Sequence, residues 1–130
     1  MTSSSRLLVV EDDAKDMKRA AEVAKLAGFS EVEGKSNPKA AERSLEERLA
    51  HQKGLPDGIL LDLDFGDQSG YELLRFLHSN AGLRSIPIVV WSVLGEEQKE
   101  LCRLFQVRQY VGKWEGDDAL REALQRVQET

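Results

Sequence analysis

Gly58-Ile59-Leu60-Leu61-Asp62-Leu63-Asp64 is a short unbroken apolar run that ends on acid. Continuous rather than alternating hydrophobicity marks a strand covered on both faces, the condition of a parallel sheet flanked by helices. Leu7 to Val10, Ile86 to Trp91 and Tyr110 to Val111 read the same way, and Val32 marks a weaker fifth strand. Amphipathic stretches lie between them. Met17, Ala20, Ala21, Ala24 and Ala27 carry the i, i+3, i+4, i+7 spacing of one buried helix face, and Gly28 follows as a C′ residue. Ser36-Asn37-Pro38 offers a cap and a first-turn proline for a second helix, continued by Leu45 and Leu49. Ser69 with Glu72 fits a capping box before Leu73, Leu74 and Leu77. Leu101, Leu104 and Phe105 stripe a fourth helix, and Asp117 or Asp118 caps a fifth that turns Leu120, Leu124 and Val127 inward. Five alternations of strand and helix predict an α/β fold, a (βα)5 doubly wound five-stranded parallel sheet with right-handed crossovers.

The 130 residues, 41% hydrophobic and with a net charge of −5, suit one compact acidic domain over residues 1–130, its core at about 6–127. No apolar run approaches the roughly 20 residues that span a bilayer, and Met1 to Arg6 is a polar lead with no apolar stretch of the signal-peptide kind behind it. A lone Cys102 makes no internal bridge, and an acidic balance argues against nucleic acid, whose phosphates need clustered Lys and Arg. The expectation is a cytoplasmic protein with no membrane or nucleic-acid partner.

In an open parallel sheet, functional groups gather beyond the carboxyl ends of the strands. The first strand runs into Glu11-Asp12-Asp13, the third into Asp62 and Asp64, the fourth into Ser92 and the fifth into Lys113. Carboxylates, a hydroxyl and one lysine thus share an edge. Three carboxylates in one cleft repel unless they take up protons or a cation. Oxygen ligands with room for water suit Mg²⁺. Asp13, as the third acid of its run, reads as an N-cap favoured by the helix dipole rather than a ligand. His51 and His78 lack spaced partners and read as surface residues, and Cys102 reads as a half-buried small hydrophobe.

These segments together resemble the receiver domains of two-component response regulators, from about Arg6 to Val127. Leu8 to Asp13 is similar to that family's acidic pair after the first strand, and Gly58 to Asp64 to its phosphoacceptor strand. Ser69-Gly70-Tyr71-Glu72-Leu73-Leu74 resembles the helix start that follows, Ile86 to Ser92 ends on the expected hydroxyl, and Tyr110-Val111-Gly112-Lys113 sets an aromatic three residues before the expected lysine. The resemblance implies a flavodoxin-like sheet of strand order 2-1-3-4-5. It also implies Mg²⁺ held by Asp12 and Asp62 directly, by Glu11 through a water and by the backbone carbonyl of Asp64. Asp62 would accept a phosphoryl group from a sensor histidine kinase or a histidine phosphotransfer protein. Lys113 and Ser92 would bind the phosphoryl oxygens, and Tyr110 would turn inward to reshape the surface of helix 4, strand 5 and helix 5. That surface would meet a downstream protein or, in a homodimer, a second copy. Such a protein is a switch with self-catalysed phosphotransfer and not a turnover enzyme, and the short remainder after the fifth helix suggests no output domain.

Three positions depart from the family pattern. Trp114 follows Lys113 where proline usually follows in a cis peptide, which implies a trans bond, because a cis bond before a non-proline residue costs about 2.5–4 kcal/mol. Phe65-Gly66-Asp67-Gln68 lacks the usual loop proline, which implies a more mobile loop. Leu94 and Asp64 stand where the family tunes hydrolysis of the acyl phosphate, and apolar Leu94 implies a long-lived one. Two other functions fit parts of the chain. Trp114 is compatible with a receiver-like module that binds without phosphorylation. Asp62-Leu63-Asp64 also matches the Asp-x-Asp nucleophile of haloacid-dehalogenase-like phosphatases, but that family places its motif on the first strand and its acidic ligands later.

Overall fold

The computed structural model describes residues 5–67, 69–93, 95–107 and 109–129, with all their side chains except that of Glu97. Strands β1 (Arg6–Val10), β2 (Glu31–Lys35), β3 (Gly58–Leu61), β4 (Ile88–Ser92) and β5 (Gln109–Gly112) alternate with helices α1 (Ala14–Leu26), α2 (Pro38–Ala50), α3 (Ser69–Ser79), α4 (Glu96–Leu104) and α5 (Asp117–Gln128). All neighbouring strands pair in parallel, in the order β2-β1-β3-β4-β5. The expected doubly wound α/β sheet is therefore present, weak β2 included.

Strand geometry explains the unbroken apolar runs. Successive side chains point to opposite faces, so Leu7, Val9, Leu60, Val89 and Trp91 enter one core with α1 and α5. Leu8, Val10, Ile59, Leu61 and Val90 enter the other, with α2, α3 and α4. The two cores hold the strand ends at fixed spacing, which is what a multi-strand site needs.

Local signals decide several helix boundaries. Asn37 accepts from the Ala40 N–H at 2.8 Å and Pro38 opens α2. At the end of α1, Gly28 takes φ 109°, with Gly28 N–H donating to the Lys25 carbonyl and Phe29 N–H to the Ala24 carbonyl. That pair of bonds satisfies carbonyls the helix leaves open.

Five details differ from the sequence expectation. Ser69 does not cap α3 through a box with Glu72; it lies inside the first turn, and its N–H and hydroxyl both donate to Asp67 Oδ1, a charged and therefore stronger acceptor. Neither Asp117 nor Asp118 caps α5, because Gly116 holds that position at φ 95° and Arg19 engages Asp117. On α4 the buried residue is Cys102, whereas Leu101 is 42% and Leu104 70% exposed. The i, i+3 pair Cys102 and Phe105 supplies the inward stripe, which turns both leucines out. Cys102 is fully buried, and burial pushes its thiol up to about 11. His51 is exposed as expected, whereas His78 is half-buried with its ring edge-on to Phe105. No helix of the described residues is long and apolar enough to cross a membrane.

Candidate functional site

The chain leaves β1 at Val10, and Glu11 stays buried (2% exposed) because its backbone N–H still pairs with the Lys35 carbonyl of β2. Its Oε2 accepts from the Asp13 N–H at 3.0 Å. Asp12, next along, faces solvent. Asp13 caps α1 by accepting from the Asp16 N–H at 2.9 Å, a bond that holds its carboxyl below the usual range. Its reading as a cap therefore stands.

Asp62 follows β3 and is 3% exposed, with its N–H donating to the Val10 carbonyl and its Oδ1 accepting from the Asp64 N–H at 3.0 Å. Register places these ends side by side, since Val10 pairs with Leu61. Carboxylate oxygens of Glu11, Asp12 and Asp62 all lie within 4.8 Å of one another. Burial pushes the Glu11 carboxyl up to about 7, against the hydrogen bond from Lys113, and the negative charge of Asp62 adds to the rise. Two of the three acids are thus expensive to keep charged together. An oxygen-only donor set with one solvent-facing member fits Mg²⁺ or Mn²⁺, which retain waters.

Lys113 supplies the resident counter-charge. It begins a 3-10 turn, Lys113–Glu115, after β5, and its bond to Trp114 is trans as expected. Its Nζ donates to Glu11 at 2.6 Å, to Asp16 at 2.7 Å and to Asp62 at 3.3 Å. Burial opposes its charge, but the bonds it donates to Asp16 and Glu11 outweigh it and raise the ammonium above its ordinary range. The Trp114 ring lies over Gly112 so closely that a Cβ there would come within 2.5 Å of it.

Ser92 ends β4 and is completely buried, yet its Oγ has no hydrogen-bond partner among the described residues, and neither has Nε1 of Trp91 before it. The Trp91 ring instead carries two cations, with Lys113 Nζ 4.9 Å and the Arg19 guanidinium 5.2 Å from its centre. Tyr110 is half-buried in β5, with Lys99 Nζ 5.3 Å from its ring centre, and burial pushes its hydroxyl up to about 12. Asp64 is exposed, and Leu94 lies outside the described residues, as does Gln68 of the loop after Asp62. The edge thus gathers Glu11, Asp12, Asp62 and Lys113, with Ser92 at the end of neighbouring β4. Asp16 and Arg19 escaped the sequence reading. Their signal was the i, i+3 pair Asp16 and Arg19, which shares one side of α1 just after the acidic pair.

A profile described as the response regulator receiver domain matches residues 7–125. The chain belongs to that family. Among curated relatives, the polar-differentiation response regulator DivK of Brucella ovis is 26% identical over 102 residues, covering 76% of each chain. Among solved structures, the Mn(2+)-bound form of response regulator Rcp1 aligns with TM-score 0.77 and 25% identity over 96% of this chain and 92% of its own. A two-component response regulator from Legionella pneumophila reaches TM-score 0.81 over 98% and 100% of the two chains, at 21% identity, a likeness of fold. The receiver fold of this chain thus places it among the response regulators of two-component signalling. Against that family's pattern, the contacts of Asp16 and Arg19 with Lys113 are the feature the sequence motifs did not announce.

Proposed function

We propose that this chain is a Mg²⁺-dependent phosphoacceptor switch, with Asp62 as the nucleophile and a histidine kinase or histidine phosphotransfer protein as donor, acting in the cytoplasm. The observation that carries the reading is the convergence of Glu11, Asp12 and Asp62 on one point, with Lys113 Nζ 3.3 Å from Asp62. Asp12 and Asp62 would hold the cation directly, Glu11 through water, and the Asp64 carbonyl would complete the set. When bound, Mg²⁺ offsets the charge of the transferring phosphoryl group. An Asp62 oxygen bonds to phosphorus as the phosphorus–nitrogen bond of the donor breaks and its electron pair returns to the imidazole, leaving an acyl phosphate. Lys113 neutralises the phosphoryl oxygens, and the Ser92 hydroxyl donates a hydrogen bond to one of them, which supplies the partner it lacks among the described residues.

That movement draws Tyr110 inward and alters the surface of α4, β5 and α5, where Leu101 and Leu104 are exposed for a downstream protein or a second copy. Apolar Leu94 and the exposed Asp64 govern hydrolysis, and the acyl phosphate is long-lived. The receiver domain takes up the phosphoryl group without turnover of substrate. Mg²⁺ followed by beryllofluoride, titrated by tryptophan fluorescence, tests the reading because Trp91 touches Lys113. A saturable two-step response, with the second step lost in Asp62→Asn, is expected. No metal-dependent change would favour binding without phosphorylation, and steady turnover of phosphomonoesters would favour a phosphatase.

A further inference from the structure

Lys113 is gripped by α1 at both its ammonium and its main chain. Asp16 accepts from Nζ at 2.7 Å, closer than Asp62 at 3.3 Å. Arg19 lies 4.0 Å from Asp16, donates to the Lys113 carbonyl at 3.5 Å and to Asp117 at 2.5 Å, and places its guanidinium against Trp91. One helix side therefore ties the lysine to β4 just before Ser92 and to the first turn of α5.

We propose that Asp16 is a positioning residue that holds Lys113 at the edge of the site, off the oxygens of Glu11 and Asp62, while a divalent cation occupies the acidic cluster, an inference that rests on the phosphoacceptor reading and deepens it. In the structure one ammonium serves three carboxylates. A cation at Glu11, Asp12 and Asp62 competes for two of these and repels an ammonium in contact with the same oxygens. Among the described residues, Asp16 is the one carboxylate that pairs with Nζ and stands outside the three-acid group. It gives Lys113 a place that does not conflict with the cation, so both positive charges share the edge before the phosphoryl group arrives. Without Asp16 the lysine falls back on Glu11 and Asp62 and competes with the cation for them.

The mechanism makes a nonadditive prediction. Loss of the Asp16 charge as such would weaken cation binding to the same extent with or without Lys113. Loss of positioning weakens it only where Lys113 is present to compete. Mg²⁺ titrations of the full chain, read by tryptophan fluorescence, compare wild type, Asp16→Asn, Lys113→Met, the double variant and Asp16→Glu, with thermal melts to establish that each is folded. Asp16→Asn should weaken Mg²⁺ binding about tenfold in the wild-type background but less than about twofold beside Lys113→Met, and Asp16→Glu should recover most of the loss. Equal losses in both backgrounds, or no loss in the wild-type background, would overturn the proposal. A wild-type chain that binds no Mg²⁺ would overturn the phosphoacceptor reading as well, a failure seen before any change at Asp16.

Discussion

The two halves of the carboxyl edge are built on opposite principles. At the ends of β1, β3 and β5, each buried charged group has a partner, with Lys113 bonded to Glu11, Asp16 and Asp62 at once. At the end of β4, the Ser92 hydroxyl and the Trp91 indole N–H are buried with no partner among the described residues. The charged half is paired at rest and must be rearranged before it can act. The neutral half bears a cost at rest, on the order of 1–3 kcal/mol for an unmet buried polar group, that a phosphoryl oxygen would remove at Ser92. Stability and readiness thus occupy different strands.

Breaking the charged half should have the largest effect. Lys113→Met leaves Glu11 and Asp62 buried without their ammonium, so at pH 8 and without metal it should lower unfolding free energy by about 3 kcal/mol in denaturant titrations, with Mg²⁺ restoring part of the loss. A change below measurement error would mean that the pairing contributes nothing at rest.

A smaller effect concerns protons. The Glu11 carboxyl, raised from 4.5 to about 7, is mostly protonated at pH 6 and mostly charged at pH 8. A cation must displace that proton at pH 6, so Mg²⁺ should bind about tenfold more tightly at pH 8. In the metal-free chain the same shift has the opposite sign: its contribution to stability is complete below pH 4.5 and is lost as pH rises through about 7. Titrations and melts across pH 5–8 measure both, and a pH-independent Mg²⁺ affinity would remove Glu11 from the cation's surroundings.

The smallest effect should come from the neutral half. Ser92→Ala removes a hydroxyl that bonds to none of the described residues, so stability should stay within about 1 kcal/mol of wild type, on the favourable side. The same variant should respond more weakly to beryllofluoride. A large loss of resting stability would place a partner on Ser92 and erase the contrast between the halves.

Much of this was legible in the chain. Unbroken runs such as Ile59 to Leu61 announced strands buried on both faces, and the acids following Val10 and Leu61 announced the edge. Asn37 and Gly28 marked helix ends because their chemistry is local. The misses were decided elsewhere. Whether Leu101 or Cys102 turns inward on α4 depends on a rotation of about 100° set by packing against the sheet, which the apolar spacing alone left open. Asp117 was available as a cap and was taken by Arg19, 98 positions earlier in the chain. Asp16 reads as one more solvated acid until β5 brings Lys113 to it. Spacing reveals which residues share an element; long-range pairing decides which of them meet.

Phosphoryl uptake at Asp62 is the central claim, and intact-mass measurement tests it most directly. Exposed to a small phosphodonor such as phosphoramidate, the chain should gain a single phosphoryl group in the presence of Mg²⁺, and neither Asp62→Asn nor wild type in chelator should gain any. A chain that gains no phosphoryl group with Mg²⁺, or gains one that persists in Asp62→Asn, would contradict it.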